Sequence, residues 1–172
     1  AAIPTEGLHA GAVNRVVWNL RSALGNEQEG DAPQGPPVLP GHYTLRLTAG
    51  GARSETGIRV HPDPRDEIPA EVRRAWTASL REVQEAAASA NALFESVRDA
   101  ARDLEAADAS ARAMKIRDLL RETEELRSRL GRLARSVADH VGPRTGDEEA
   151  QHRFLGEMLR TLTGEWHALG GA

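Results

Sequence analysis

An apolar or small residue recurs at every seventh position from Trp76 through Val83, Ala90, Val97 and Leu104, and no other pattern in the chain is as regular. Leu80, Ala87, Phe94 and Ala101 widen this stripe on one side, and Val72 leads into it. A seven-residue apolar repeat of this length specifies a helix whose stripe other helices must cover. The start is legible at Pro69, which suits a first helical turn because its missing N–H has no intrahelical partner there. Asp66 and Glu67 precede it, where negative charge favours the positive end of the helix dipole. Extended to Ala107, such a helix is roughly 55–60 Å long and cannot bury its own stripe.

Two further helices follow. Ile116, Thr123, Leu130 and Val137 form one seven-residue series, and Leu119, Leu126, Leu133 and His140 form another, over a helix from Ala111 to Val141 that Gly142-Pro143 ends. Ser110 or Asp108 is its expected cap. Thr145-Gly146-Asp147 opens a third helix with acidic residues in its first turn and Leu155, Leu159, Leu162, Trp166 and Leu169 on its apolar face. Gly170-Gly171 stops it. Short turns between helices imply antiparallel neighbours. The expectation is an up-down-up bundle over residues 69–172, with helices near 69–107, 111–141 and 147–169. Trp76, Phe94, Leu126, Leu130, Leu133, Leu159, Leu162 and Trp166 should be buried in it.

The first third has strand periodicity instead. Alternation predicts strands over Val13–Arg21, His42–Ala49 and Arg53–Val60, the last two joined by a tight turn at Gly50-Gly51. Gly25 to Pro37 is rich in Gly, Pro, Gln and Glu, the composition of a loop. Residues 1–62 thus read as a small β module with one sheet, 63–68 as a stiff proline-rich linker, and the fold class is α+β. One sheet face, carrying Val16, Trp18, Leu20, Tyr43, Leu45 and Leu47, requires a second layer. The Ile3–Leu8 segment, the helix start at Val72 and Trp76, or another chain could supply it; the linker favours the helix start together with Ile3.

Bulk properties narrow the function. A net charge of −4 gives no general reason to expect nucleic acid, and the lack of cysteine excludes disulfides and thiolate metal sites. No apolar run approaches the ~20 residues of a membrane-spanning helix. Arginine outnumbers lysine twenty-one to one, a compositional bias rather than a functional mark. Beginning at Ala1 without a signal peptide, the chain reads as a processed product or a fragment.

Gly11-Ala12-Val13-Asn14-Arg15-Val16-Val17-Trp18-Asn19-Leu20-Arg21 resembles a segment of bacterial BNR-repeat glycosyl hydrolases and sortilin-like β-propeller proteins. Gly35-Pro36-Pro37-Val38-Leu39-Pro40-Gly41-His42-Tyr43-Thr44-Leu45-Arg46-Leu47 and Asp63-Pro64-Arg65 resemble later segments of the same family. Asn19 departs from its usual Asp, and neither the propeller nor a Ser-x-Asp-x-Gly-x-Thr-Trp box is present. The resemblance spans residues 11–65. It implies an Ig- or fibronectin-like sandwich lying C-terminal to a propeller, followed by helices, in an exported protein. Strands completing the sandwich, and the propeller, would lie upstream. No catalytic residue, metal or cofactor is carried over, because none of the matched positions is catalytic in a propeller hydrolase.

Physical roles can be assigned beside that resemblance. Trp18 reads as a core residue of the sheet, or else a ligand platform. Tyr43, following Leu39-Pro40-Gly41, reads as a tyrosine corner whose hydroxyl bonds back to the turn, or else as a sugar-stacking aromatic. Glu149-x-x-His152 has di-iron spacing, but its only second copy, Glu6-x-x-His9, lies in the β module, so a solvated helical turn is the better reading. His140 suits a helix end. Arg121, Arg127, Arg129, Arg132 and Arg135 make the second helix locally basic without the interleaved aromatics of a nucleic-acid site.

Three functions follow from these residues. The first is a non-catalytic accessory module partnered by the propeller or another chain. The second is a helical protein that binds a partner or oligomerises, marked by exposed heptad positions. The third is a glycoside hydrolase, which needs two carboxylates about 5–10 Å apart in a cleft. The first predicts no turnover of chromogenic glycosides by the purified chain; activity abolished by a single Asp or Glu substitution would establish the third.

Overall fold

A computed structural model describes residues 3, 11–24, 34–65, 67–104 and 110–171. Two strands, β1 (Gly41–Ala49) and β2 (Ala52–Val60), precede three helices, α1 (Ala70–Arg102), α2 (Ala111–Asp139) and α3 (Gly146–Ala168). The class is α+β.

The heptad stripe is the core. Trp76, Val83, Ala90 and Val97 of α1 are buried, and every member of the Ile116 series of α2 is buried with them. Leu119, Leu126 and Leu133 are also buried, whereas His140 caps the end of α2 and is exposed. The α1–α2 seam is the most extensive helix contact, with α3 laid mainly against α2. Leu155, Leu162 and Trp166 close the third side, and Leu159 is partly covered. Thr123 takes a core position at no cost in lost hydrogen bonds, since its hydroxyl donates to the Leu119 carbonyl at 2.7 Å.

Local chemistry sets the helix ends. The Ser110 hydroxyl accepts from Ala113 N–H and caps α2; the alternative cap, Asp108, lies outside the described residues. Thr145 and Glu148 form a reciprocal capping box at α3. At its other end Gly171 N–H donates to Trp166 O and Gly170 N–H to His167 O, a Schellman stop. Gly170 has φ 81°, and a Cβ on Gly171 would overlap the Trp166 indole at 2.0 Å, so both glycines are required as glycine.

The strands pair antiparallel with Ala49 opposite Ala52 and Gly41 opposite Val60, around a Gly50-Gly51 turn with both φ values positive. The third expected strand is absent among the described residues. Residues 13–19 belong to no ladder, and among the described residues the only bridge outside the hairpin joins Arg21 to Pro37. The sheet accordingly has two strands. The expected helix cover is also corrected. No strand lies against a helix, and the start of α1 meets only the hairpin root. Ile3 is half-buried, and the rest of the Ile3–Leu8 segment lies outside the described residues.

Leu130→Ala should destabilise the chain by about 2–5 kcal/mol, whereas Met114→Ala on the exposed side of α2 should change stability by less than about 0.5 kcal/mol. Urea denaturation of the two variants checks this, and equal effects would show that the seam is misplaced.

Candidate functional site

The hairpin and its root are where the chain's apolar surface remains uncovered. Along β1, Gly41, Tyr43 and Leu45 are half-buried and alternate with exposed His42, Thr44 and Arg46, but Leu47 is 57 % exposed. Across the sheet, Ile58 and Val60 are half-buried opposite Tyr43 and Gly41. The other face is ionic. One Glu55 carboxylate oxygen accepts from Arg46 Nε at 2.7 Å and from Arg53 Nη2 at 2.5 Å. These hydrogen bonds, Arg53's first and Arg46's second, hold the carboxyl below its ordinary value. The group is solvent-exposed, so the cluster orders the face more than it stabilises the fold.

The chain before β1 forms a short ribbon. Ser22 N–H donates to Pro36 O and Val38 N–H to Leu20 O, flanking the Arg21–Pro37 bridge. Gly35 permits this approach, because a Cβ there would meet Ser22 O at 2.4 Å. Pro40 then interrupts the ladder, having no N–H to give. The Tyr43 hydroxyl donates back to Leu39 O at 2.5 Å, the backward bond that the turn predicts. Trp18 lies edge-on to Tyr43 with ring centroids 5.6 Å apart, and its Nε1–H donates to Arg21 O. Leu20, between them, has φ 56°. That left-handed conformation costs a leucine about 1–2 kcal/mol.

Arg81 of α1 anchors the ribbon to the bundle. Its guanidinium donates to Ser22 Oγ at 2.8 Å and to Ala23 O at 3.3 Å. Closer to the hairpin, a cavity of about 180 Å³ lies between Leu20, Val38, Pro40, Val60, Trp76 and Thr77. A neighbouring groove of about 310 Å³ runs over Leu39, Pro40, Pro62 and Ile68 to Arg73 and Arg74. Pro40 lines both; Gly41 begins the strand, and Trp76 forms the floor at the bundle side. Trp166 is elsewhere, in the core beneath Gly171. Sequence periodicity could not reveal Arg81 or Gly35, whose roles depend on distant partners.

The remaining candidates have structural settings. Glu149 is exposed, and His152 accepts from Arg144, whose other nitrogen donates to Glu82 at 2.6 Å. Glu6 and His9 lie outside the described residues. Among the described residues no group of three His, Cys, Asp or Glu is placed to hold a metal ion. Arg127 and Arg98 lie over the Phe94 ring, Arg129 pairs with Glu125 at 3.7 Å, and Arg121 pairs with Asp118 at 3.1 Å. No helix among the described residues is long and apolar enough to cross a membrane.

Two titrating groups secure the α2–α3 corner. Burial would raise the Glu148 carboxyl, but hydrogen bonds from Thr145 N–H, the Ser136 hydroxyl at 2.7 Å and the Thr145 hydroxyl, with His140 nearby, outweigh it and hold it below its ordinary value. Burial first, and the Arg144 charge second, push the His152 ring down against an opposing pull from Glu82.

Compared with protein-family models, curated protein sequences and solved structures, the chain matches none.

Acid should therefore weaken the fold in two stages. The unfolded chain protonates His152 first as pH falls below about 6.5, so stability declines from there to the depressed folded value. Glu148 contributes fully above about 4.3, and that contribution disappears as pH falls through its lower folded value. In urea titrations His152→Gln should flatten the dependence between pH 7 and 5. Glu148→Gln should be less stable at pH 7 yet lose less between pH 5 and 3. An unchanged profile in either variant would remove that residue from the account.

Proposed function

We propose that this chain is a non-catalytic accessory module in which the helical bundle is a rigid base and the β hairpin is the docking face. The partner is the propeller of an exported BNR-type or sortilin-like protein, carried on the same polypeptide or on another. One observation supports this most: the helices bury their heptad residues among themselves, while the hairpin's apolar face keeps Leu47 exposed with no helix over it. A face of alternating apolar residues backed by an ionic face has the form of one layer of a two-layer sheet packing. The motif resemblance over residues 11–65 supplies the propeller context and the export. The oligomerising reading lacks its mark, since Val83, Ala90, Ile116, Leu126 and Leu130 are inside.

The test is calorimetry of this chain against the separately expressed upstream polypeptide. Leu47→Arg should weaken association at least about tenfold, the scale of one lost apolar anchor with an unpaired charge in its place (about 1.4 kcal/mol or more). Undiminished binding by Leu47→Arg, or no association of the parent chain, would overturn the proposal.

A further inference from the structure

We propose that residues 13–19 are a strap that closes onto the free edge of β1 as a third strand, with Val16 opposite Tyr43 and Asn14 opposite Leu45. The inference does not depend on the docking reading, since it concerns only this chain's own segments.

Three observations carry it. First, β1 has an edge to offer. The two-residue turn closes on a hydrogen-bonded pair at Ala49 and Ala52, so odd-numbered residues of β1 bond to β2. His42, Thr44 and Arg46 therefore turn their N–H and C=O groups to the other side, where β1 has no neighbouring strand among the described residues. Such an edge is a template for strand addition. Second, the strap is already fastened at the correct end of that edge. The ribbon of residues 20–22 with 36–38 runs antiparallel directly upstream of β1. Continuing that direction carries residues 18 to 13 alongside residues 41 to 46. Third, the strap has the composition of a strand and no ladder: Val13, Val16 and Val17 are all exposed, Val13 completely.

The register follows from side-chain faces. Continuing the Arg21–Pro37 pairing without interruption would place Val16 opposite His42 and put Trp18 on the ionic face of the sheet. Trp18 instead contacts Tyr43, which belongs to the apolar face. A one-residue bulge reconciles these facts, because shifting register by one moves every side chain to the other face. The extra residue lies on the β1 side: Val38 N–H still bonds to Leu20 O, so Leu39 and Pro40 together oppose Asn19, and a proline with no N–H to give is tolerated at such a bulge. Across from it, the Trp18 Nε1–H bond to Arg21 O and the Arg21 N–H bond to Asn19 Oδ1 hold residues 18–21. With the bulge kept, Trp18 falls opposite Gly41 and Val16 opposite Tyr43. Residues 15 and 17 then exchange hydrogen bonds with Thr44 and His42.

Because the chain has no cysteine, disulfide trapping reads the closure cleanly. In the full chain, Asn14→Cys with Leu45→Cys would face each other as a non-hydrogen-bonded pair, within the Cα separation a disulfide spans. Val13→Cys with Leu45→Cys would face each other only in the uninterrupted register; with the bulge, their side chains lie on opposite faces of the sheet. Mild oxidation of dilute protein should give an intramolecular disulfide in the first variant and leave the second reduced. Neither residue of the first pair is in the bundle core, so folding is not at stake. Closure of the Val13 pair in preference, equal closure of both, or closure of neither would each overturn the proposal.

Discussion

The indole of Trp76 is the joint on which the two halves of this molecule depend. It is buried in the second turn of α1, and its Nε1–H donates to the Val137 carbonyl at 2.8 Å. That carbonyl belongs to the last turn of α2, where the helix supplies no partner of its own. The bond therefore fixes the beginning of one helix against the end of the other and satisfies a group that burial would otherwise penalise. The opposite side of the same residue borders the cavity under Val38, Pro40 and Val60. The hairpin root is thus set by the bundle, and the register of α1 against α2 is set where the hairpin attaches.

The two halves differ in how they satisfy themselves. Each helix covers the others' apolar stripe, and the caps at Ser110, Thr145 and Gly170 close their ends. An isolated two-stranded hairpin is marginal in water, and here it is supported only near its base. The Arg81 contacts to Ser22 and Ala23, the Tyr43–Leu39 hydrogen bond and the Trp18–Tyr43 ring pair all lie at that end. Burial falls along β1 from Gly41 to Ala49 accordingly.

The helical half was legible because a seven-residue repeat states both the element and the face it buries. Ser110 and the Thr145-x-x-Glu148 box were readable for the same reason, since caps act within a few residues of themselves. Tyr43 falls in this group too, its partner being only four residues away. Val13–Arg21 has the pattern of a paired strand yet stands in no ladder, because alternation reports an amphipathic extended segment and cannot supply its neighbour. Two local facts interrupt the ladder there: Pro40 has no N–H to donate, and Leu20 turns the chain with a positive φ. Neither the Gly35–Ser22 approach nor the Arg81 anchor has a local signal; each joins residues far apart in sequence. The expected helix cover failed for a geometric reason. The stiff Pro62-Asp63-Pro64 connection does bring α1 to the hairpin root, but it leaves the strands running clear of the helix.

The distribution of charge on the hairpin bears on what can cover it. Arg46, Arg53 and Glu55 occupy one face near the tip, directly behind exposed Leu47, and Arg59 lies on the same face closer to the root. Lateral association along the sheet edges would bring the Arg46 and Arg53 charges of two hairpins together, which opposes edge-to-edge stacking of identical chains. The apolar face has no such guard. A covering layer can therefore approach it face-on with little electrostatic penalty, gaining most at Leu47, where the bundle contributes nothing. Root and tip are in this way stabilised by different sources, the root by contacts within the chain and the tip by whatever layer settles on it.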